Sequence, residues 1–176
     1  MERLEKKARI MAEMIIQTAK IYHESEESEK GLMETLVGAG IFYLPNHPGL
    51  FNNKISKEAW IQLQTKPEKL KLVAEHAIPR KVAGRLLYTK YLLLLQENPL
   101  ALVELYEKYF GRYNLVLKEE NDRLRKFQKA QIFVSEEEAY ALAGIELVDF
   151  TYEEYLEFQK FQRDSKKKAS KKVGMA

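Results

Sequence analysis

Cysteine is absent from the 176 residues. That excludes disulfides, thiol nucleophiles, cysteine zinc sites and cysteine-ligated iron–sulfur clusters, and it fits a reducing compartment. Long apolar runs are also missing. The longest aliphatic run covers residues 92–95, whereas a membrane span needs about 20 residues. The N-terminus, Met1-Glu2-Arg3-Leu4-Glu5-Lys6-Lys7, carries both charge signs with no apolar core behind it, unlike a secretory signal. The cytoplasm is the expected location, without a membrane partner. Gly38-Ala39-Gly40 lacks the third glycine of a dinucleotide loop, and no Gly-Lys-Ser/Thr follows it. No Gly-x-Ser-x-Gly elbow is present. His23, His47 and His76 include no pair at a helical ligand spacing.

What is present is an ordinary globular composition: 45% apolar, 31% charged and 11% aromatic residues, enough for one domain with its own core. Leu4, Ala8, Met11, Ile15, Ala19 and Tyr22 recur at steps of three and four, predicting an amphipathic helix over 4–22. A second helix is expected over 29–37, stopping near Gly38 and Gly40. The prolines and asparagines of 43–54 predict a loop. Ser56 reads as an N-cap. Pro79 opens a long central helix, 79–95, whose run Tyr91-Leu92-Leu93-Leu94-Leu95 predicts burial on most sides. Residues 70–77 fit either a short strand or a helical turn. Asn98-Pro99 starts another helix and Gly111 stops it. A charged helix is expected over 118–129. Ser135-Glu136-Glu137-Glu138 and Thr151-Tyr152-Glu153-Glu154 read as capping boxes, the second opening a helix over 152–163. The clear strand-like triplets are Leu115-Val116-Leu117 and Ile132-Phe133-Val134. The expected fold is mainly α: a single helical domain over 1–163, of about seven or eight helices with at most a minor two-stranded β element, and then a basic, flexible tail over 164–176.

Charge is unevenly placed. Residues 159–176 hold seven cations and one acid, net +6, against −3 for the rest of the chain. Residues 66–90 hold seven cations and two acids. On the helix that begins at Pro79, Arg80, Lys81, Arg85 and Tyr88 share a side by their spacing, and Gly84 among them would allow close approach of a phosphate backbone. With Lys167, Lys168, Lys171 and Lys172 of the tail they form the candidate nucleic-acid-binding set, since each cation near a phosphate chain releases condensed counterions. Solvated helix and a frayed terminus are the plainer readings. The acid pairs Glu119-Glu120 and Glu153-Glu154 sit in first helical turns, where the helix dipole favours them.

Glu75-His76-Ala77-Ile78-Pro79 sets an acid and an imidazole just before a Pro-initiated helix. The segment resembles the opening of HNH-type nucleases: acid, histidine, two apolar residues, proline. That resemblance, five residues long, implies Glu75 as the ligand of a divalent metal, Mg or Mn, with His76 as the general base that activates water. Asn98 would match the asparagine that orients the histidine. Read by themselves, Glu75 and His76 cap or hydrogen-bond the start of the central helix. No cofactor is expected outside the nuclease reading. Three functions therefore stand as expectations. The first is a soluble intracellular helical protein that contacts nucleic acid or an acidic partner through its basic helix face and tail. The second is an HNH-like nuclease centred on Glu75 and His76. The third is a helical partner-binding or immunity-type module that uses its first helix or the aromatic helix 152–161.

Overall fold

A computed structural model describes residues 2–129 and 132–173, apart from the side chains of residue 166 and residues 168–173. The chain begins with two consecutive helices, α1 (Glu2–Glu24) and α2 (Glu27–Ile41). A 3-10 turn (Pro48–Leu50) leads into β1 (Phe51–Ser56), α3 (Lys57–Thr65) and β2 (Leu72–His76). Next come α4 (Arg80–Tyr88), α5 (Leu92–Glu97) and α6 (Ala101–Leu105), which runs into a π-helical turn (Tyr106–Phe110). β3 (Tyr113–Leu117), α7 (Lys118–Leu124), α8 (Glu136–Leu142), β4 (Leu147–Asp149) and α9 (Tyr152–Val173) complete it. Among the described residues, no helix is long and apolar enough to cross a membrane.

The strands form one mixed sheet of order β2-β3-β1-β4, with β3 parallel to β1 and the outer pairs antiparallel. This corrects the expected fold: the chain is mainly α, 64% helix, but it carries a four-stranded sheet in place of a two-stranded ribbon. Of the two strand-like triplets, 115–117 lies in β3, but 132–134 is not a strand. Val134 lies 73% exposed, and an apolar triplet without a neighbouring edge has no backbone partner to order it. β1 arises where a loop was expected. Asn53 takes φ 54°, a left-handed value that asparagine tolerates better than most residues. There the register with β3 shifts, with Phe51–Ile55 set against Tyr113–Leu115. That bulge breaks the alternation by which a strand announces itself.

β3 is buried along its whole length because helices cover both faces of the sheet. Tyr113, Leu115 and Leu117 join the large core with α1, α4, α6 and the start of α9, whereas Val116 joins a smaller cluster with Leu124, Tyr140 and Ile145. This is the two-residue alternation of a strand with a hydrophobic layer on each side.

α2 and α4 cross at backbone contact. A Cβ on Gly38 would stand 2.0 Å from the Arg80 carbonyl oxygen, and one on Gly84 would stand 2.0 Å from that of Glu34. The two glycines thus serve helix packing, and Gly84 does not present an open surface to a ligand. The central helix expected over 79–95 is two helices. The chain turns at Thr89–Tyr91, where Thr89 donates its hydroxyl to the Arg85 carbonyl at 2.8 Å and the Tyr91 N–H bonds the Leu86 carbonyl five residues back. The turn redirects the leucine run: Leu95 is buried against α1, while Leu93 faces solvent.

Candidate functional site

β2 places the two residues of the nuclease-like segment on opposite faces, as successive strand residues must be. Glu75 turns toward α7 and α8. It is 4% exposed and accepts hydrogen bonds from the Tyr140 hydroxyl at 2.5 Å and from the Gln128 amide. Asn114, its cross-strand neighbour on β3, donates to that same Tyr140 oxygen at 3.2 Å and to Glu136 at 2.5 Å. Burial is the main cause that pushes the Glu75 carboxyl up to about 7, opposed by the donors Tyr140 and Gln128. The Tyr140 phenol is pushed up by burial and by the adjoining Glu75.

His76 turns the other way. Its ring meets Phe42 edge-on at 4.2 Å and Tyr113 at 6.1 Å, beside an 80 Å³ cavity walled by Ile41, Leu44 and Phe110. Nδ1 is buried without a hydrogen-bond partner among the described residues. Burial, with the nearby Arg80 charge, holds the imidazole down to about 4 against a backbone hydrogen bond at Arg112. At neutral pH the ring is an uncharged part of the packing.

Asn98 stands exposed after α5. Its side chain accepts from the Leu100 N–H at 3.1 Å, a local turn bond ahead of α6. The three residues of the nuclease-like set are therefore not brought together. No group of three or more His, Asp or Glu side chains among the described residues converges as a metal site. Glu75's oxygens are engaged by a phenol and an amide, so this donor set does not fit a divalent metal.

The cationic stripe of α4 is divided among three surroundings. Arg80 lies 3.7 Å over the Phe42 ring. Lys81 stands 4.0 Å from the buried Glu34 carboxylate. Tyr88 is buried, stacked on Tyr22 at 4.3 Å, with its hydroxyl 2.8 Å from that of Thr18. It offers no face for a base. Lys167 is exposed on α9, and the side chains of Lys168, Lys171 and Lys172 fall outside the described residues.

Arg85 borders two places: a 370 Å³ pocket that it shares with Lys81, Glu34 and Tyr22, where its charge acts on the Tyr22 phenol, and the wall of a 650 Å³ cleft. Here α4, the turn after it, the π-helical turn and the segment before α8 come together, bringing Lys90, Lys108 and Arg112 to the same walls. Arg112 is held in position by Asn52, which accepts from its Nε at 2.6 Å, and by the Gly49 carbonyl, which accepts from Nη1 at 2.7 Å. The same walls carry Tyr91, Tyr109 and Phe133; Tyr109 is 46% exposed, Phe133 is half-buried, and Tyr91 is half-buried with its ring edge-on to Phe110 at 5.9 Å. Lys90 lies over the Tyr91 ring at 5.1 Å. Two carboxylates share the cleft, Glu136 and Glu137. Burial pushes Glu136 up, opposed by the Asn114 amide and by the Arg112 charge. Lys108 is also 3.6 Å from Glu104 one turn earlier, so four cations stand with three acids and the walls keep a small positive excess. Its size falls within the roughly 300–1,000 Å³ of ligand sites.

Sequence reading found Arg85, because it lies in the basic stretch 66–90, but it missed Lys108, Tyr109, Arg112 and Phe133. Lys108, Tyr109 and Arg112 are neighbours on and just after the π-helical turn, whereas Phe133 comes from the segment before α8, and only the fold brings both to Arg85 and Lys90. No protein-family model, no curated protein and no solved structure matches this chain.

Proposed function

We propose that this protein binds single-stranded nucleic acid, with the cleft between α4, the π-helical turn and α8 as the seat of one or two nucleotides. The observation that carries the reading is the convergence of Arg85, Lys90, Lys108 and Arg112 around Tyr91, Tyr109 and Phe133. Cations along a groove follow a phosphate chain, and exposed rings among them stack on bases of any identity. Glu136, steadied by Asn114, supplies an acceptor for an exocyclic base amine. The basic end of α9, with Lys167, Lys168, Lys171 and Lys172, adds long-range attraction for the same polyanion.

The test is fluorescence anisotropy of a labelled single strand with the whole protein. Affinity should fall steeply between about 50 and 200 mM salt, with a log–log slope of roughly −0.7 per phosphate neutralised. The exposed pair Lys90→Glu and Lys108→Glu should abolish most of the binding. Absence of binding at the lower salt defeats the proposal. So does a duplex bound as tightly as the single strand, because paired bases cannot reach the rings. If polyglutamate competes as well as the oligonucleotide, the cleft is a site for an acidic protein instead.

A further inference from the structure

The molecule has a second unusual surface, away from the basic cleft. α1 and α2 lie side by side and antiparallel, with Lys7 donating to the Tyr43 carbonyl at 2.7 Å at one end and Tyr22 donating to Glu34 at 2.9 Å toward the other. Between them runs an apolar groove of 430 Å³ floored by Met11, Met33 and Val37. Its banks are large apolar side chains in water: Ile10 at 59% and Met14 at 62% exposed on α1, Leu36 at 64% on α2 and Tyr43 at 77% beyond it, while Ile21, 59% exposed, continues the α1 row past the groove. On α1 these side chains follow helical spacing, with Gln17 completing the row between Met14 and Ile21. A continuous apolar strip of this kind on a monomer marks an interaction surface.

The charges at its two ends indicate what covers it. Residues 2–9 hold four cations (Arg3, Lys6, Lys7, Arg9) and two acids, net +2. The opposite end, residues 20–30, holds four acids (Glu24, Glu26, Glu27, Glu29) and two cations, net −2; Lys81 and Arg85 of α4 stand beside Glu27 and Glu34 there, in a pocket that shares no residue with the groove. A surface that is apolar along its length, positive at one end and negative at the other is complementary to itself turned end for end. That is the requirement of a two-fold interface, in which the same patch serves both partners.

We infer that two copies of this chain pair through their α1–α2 faces, antiparallel, to form a four-helix layer with the apolar rows inside. The basic end of each hairpin then lies on the acidic end of the other. This assembly does not depend on nucleic-acid binding, and its failure would leave the cleft reading untouched.

Sedimentation velocity of the whole protein over a wide concentration range tests it. The expected result is a species of twice the 20.6 kDa chain mass, weakened as salt screens the ends. Met14→Glu with Leu36→Glu should return the mass to one chain while circular dichroism and melting temperature stay near those of the parent, since both side chains face solvent. The absence of native cysteine makes orientation measurable. In an antiparallel pair, Gln17→Cys near the two-fold axis should oxidise to a cross-linked dimer, whereas Lys6→Cys, at an end, should not. A single-chain mass at every concentration overturns the inference. So does a dimer indifferent to Met14→Glu with Leu36→Glu, or equal cross-linking at both positions, which belongs to a parallel pair.

Discussion

Glu75 and His76 are adjacent in sequence, yet the sheet separates them: one carboxylate is sealed beneath α7 and α8, and one imidazole is packed against Phe42 on the other side. Burial acts on both and moves them in opposite directions. Glu75 is raised from 4.5 to about 7 and His76 is lowered from 6.5 to about 4.

Their contributions to stability therefore have opposite slopes with pH. Native Glu75 keeps a proton that the unfolded chain releases above 4.5, so its contribution is complete below that pH and is lost as pH rises through 7. Native His76 refuses a proton that the unfolded chain takes up below 6.5, so stability is lost as pH falls from 6.5 toward 4. Over the shared window the two nearly cancel. Glu75→Gln should expose the histidine slope, a loss on the order of 2–3 kcal/mol between pH 6.5 and 4 at about 1.4 kcal/mol per pKa unit. His76→Gln should expose the opposite slope. Urea unfolding across pH 4–7.5 reads both, and an unchanged slope in either variant refutes the pairing.

The glycines should divide by what their missing side chains would meet. Gly84→Ala pushes a methyl into the Glu34 carbonyl and should destabilise by about 1–3 kcal/mol or more, the cost of overpacking between rigid backbones. Gly144 has φ +65° with open space around it, so Gly144→Ala should lose only the left-handed strain, about 1 kcal/mol. Gly31 sits within α2 and meets only the tip of Lys81. Gly31→Ala should gain about 0.5–1 kcal/mol from helix propensity. Thermal melts of the three proteins should preserve that order.

Within the cleft, charge and ring should be separable. Lys90→Ala and Lys108→Ala should each reduce the salt slope of single-strand binding by about 0.7 if each neutralises one phosphate. Tyr109→Ala should leave the slope unchanged and weaken binding by about 1–3 kcal/mol, the loss of one stacked base. Arg80→Ala, whose guanidinium lies over Phe42 outside the cleft, should alter neither. A slope that follows Arg80 instead of Lys108 would relocate the site to the stripe first read from sequence.

Local signals were legible in the sequence. Ser56 caps α3 through the Ala59 N–H, Ser135 caps α8 through that of Glu138, and Thr151 and Glu154 exchange the bonds of a full capping box. Each is a bond across three residues and needs no knowledge of the fold. The sheet was less legible. The polar residues and bulge of β1 hide its alternation, and β4 has three residues. The apolar run Leu92–Leu95 read as buried all round because nothing local announces the break at Thr89–Tyr91. The sequence drew Glu75 out only as the neighbour of His76, and the groups that hold its carboxylate are remote. Its partners Gln128 and Tyr140 lie 53 and 65 positions away, and only the packing of α7 and α8 on the sheet brings them to it.

That partnership gives the last prediction. The Tyr140 hydroxyl donates to Glu75 and accepts from Asn114 in an environment closed to water. Tyr140→Phe removes the donor but leaves the carboxyl buried with Gln128 alone, and it deprives Asn114 of one acceptor. It should cost about 1–3 kcal/mol, as for a buried polar group left short of a partner. Because Tyr140 holds the Glu75 pKa down, its loss should also move the falling limb of the stability curve to higher pH. In the double variant with Glu75→Gln the two changes should not add; a coupling of about 0.5–3 kcal/mol is the usual measure of such a contact. Strict additivity, or a limb that stays in place, would mean that the hydroxyl and the carboxyl are not hydrogen-bonded in solution as they are in the structure.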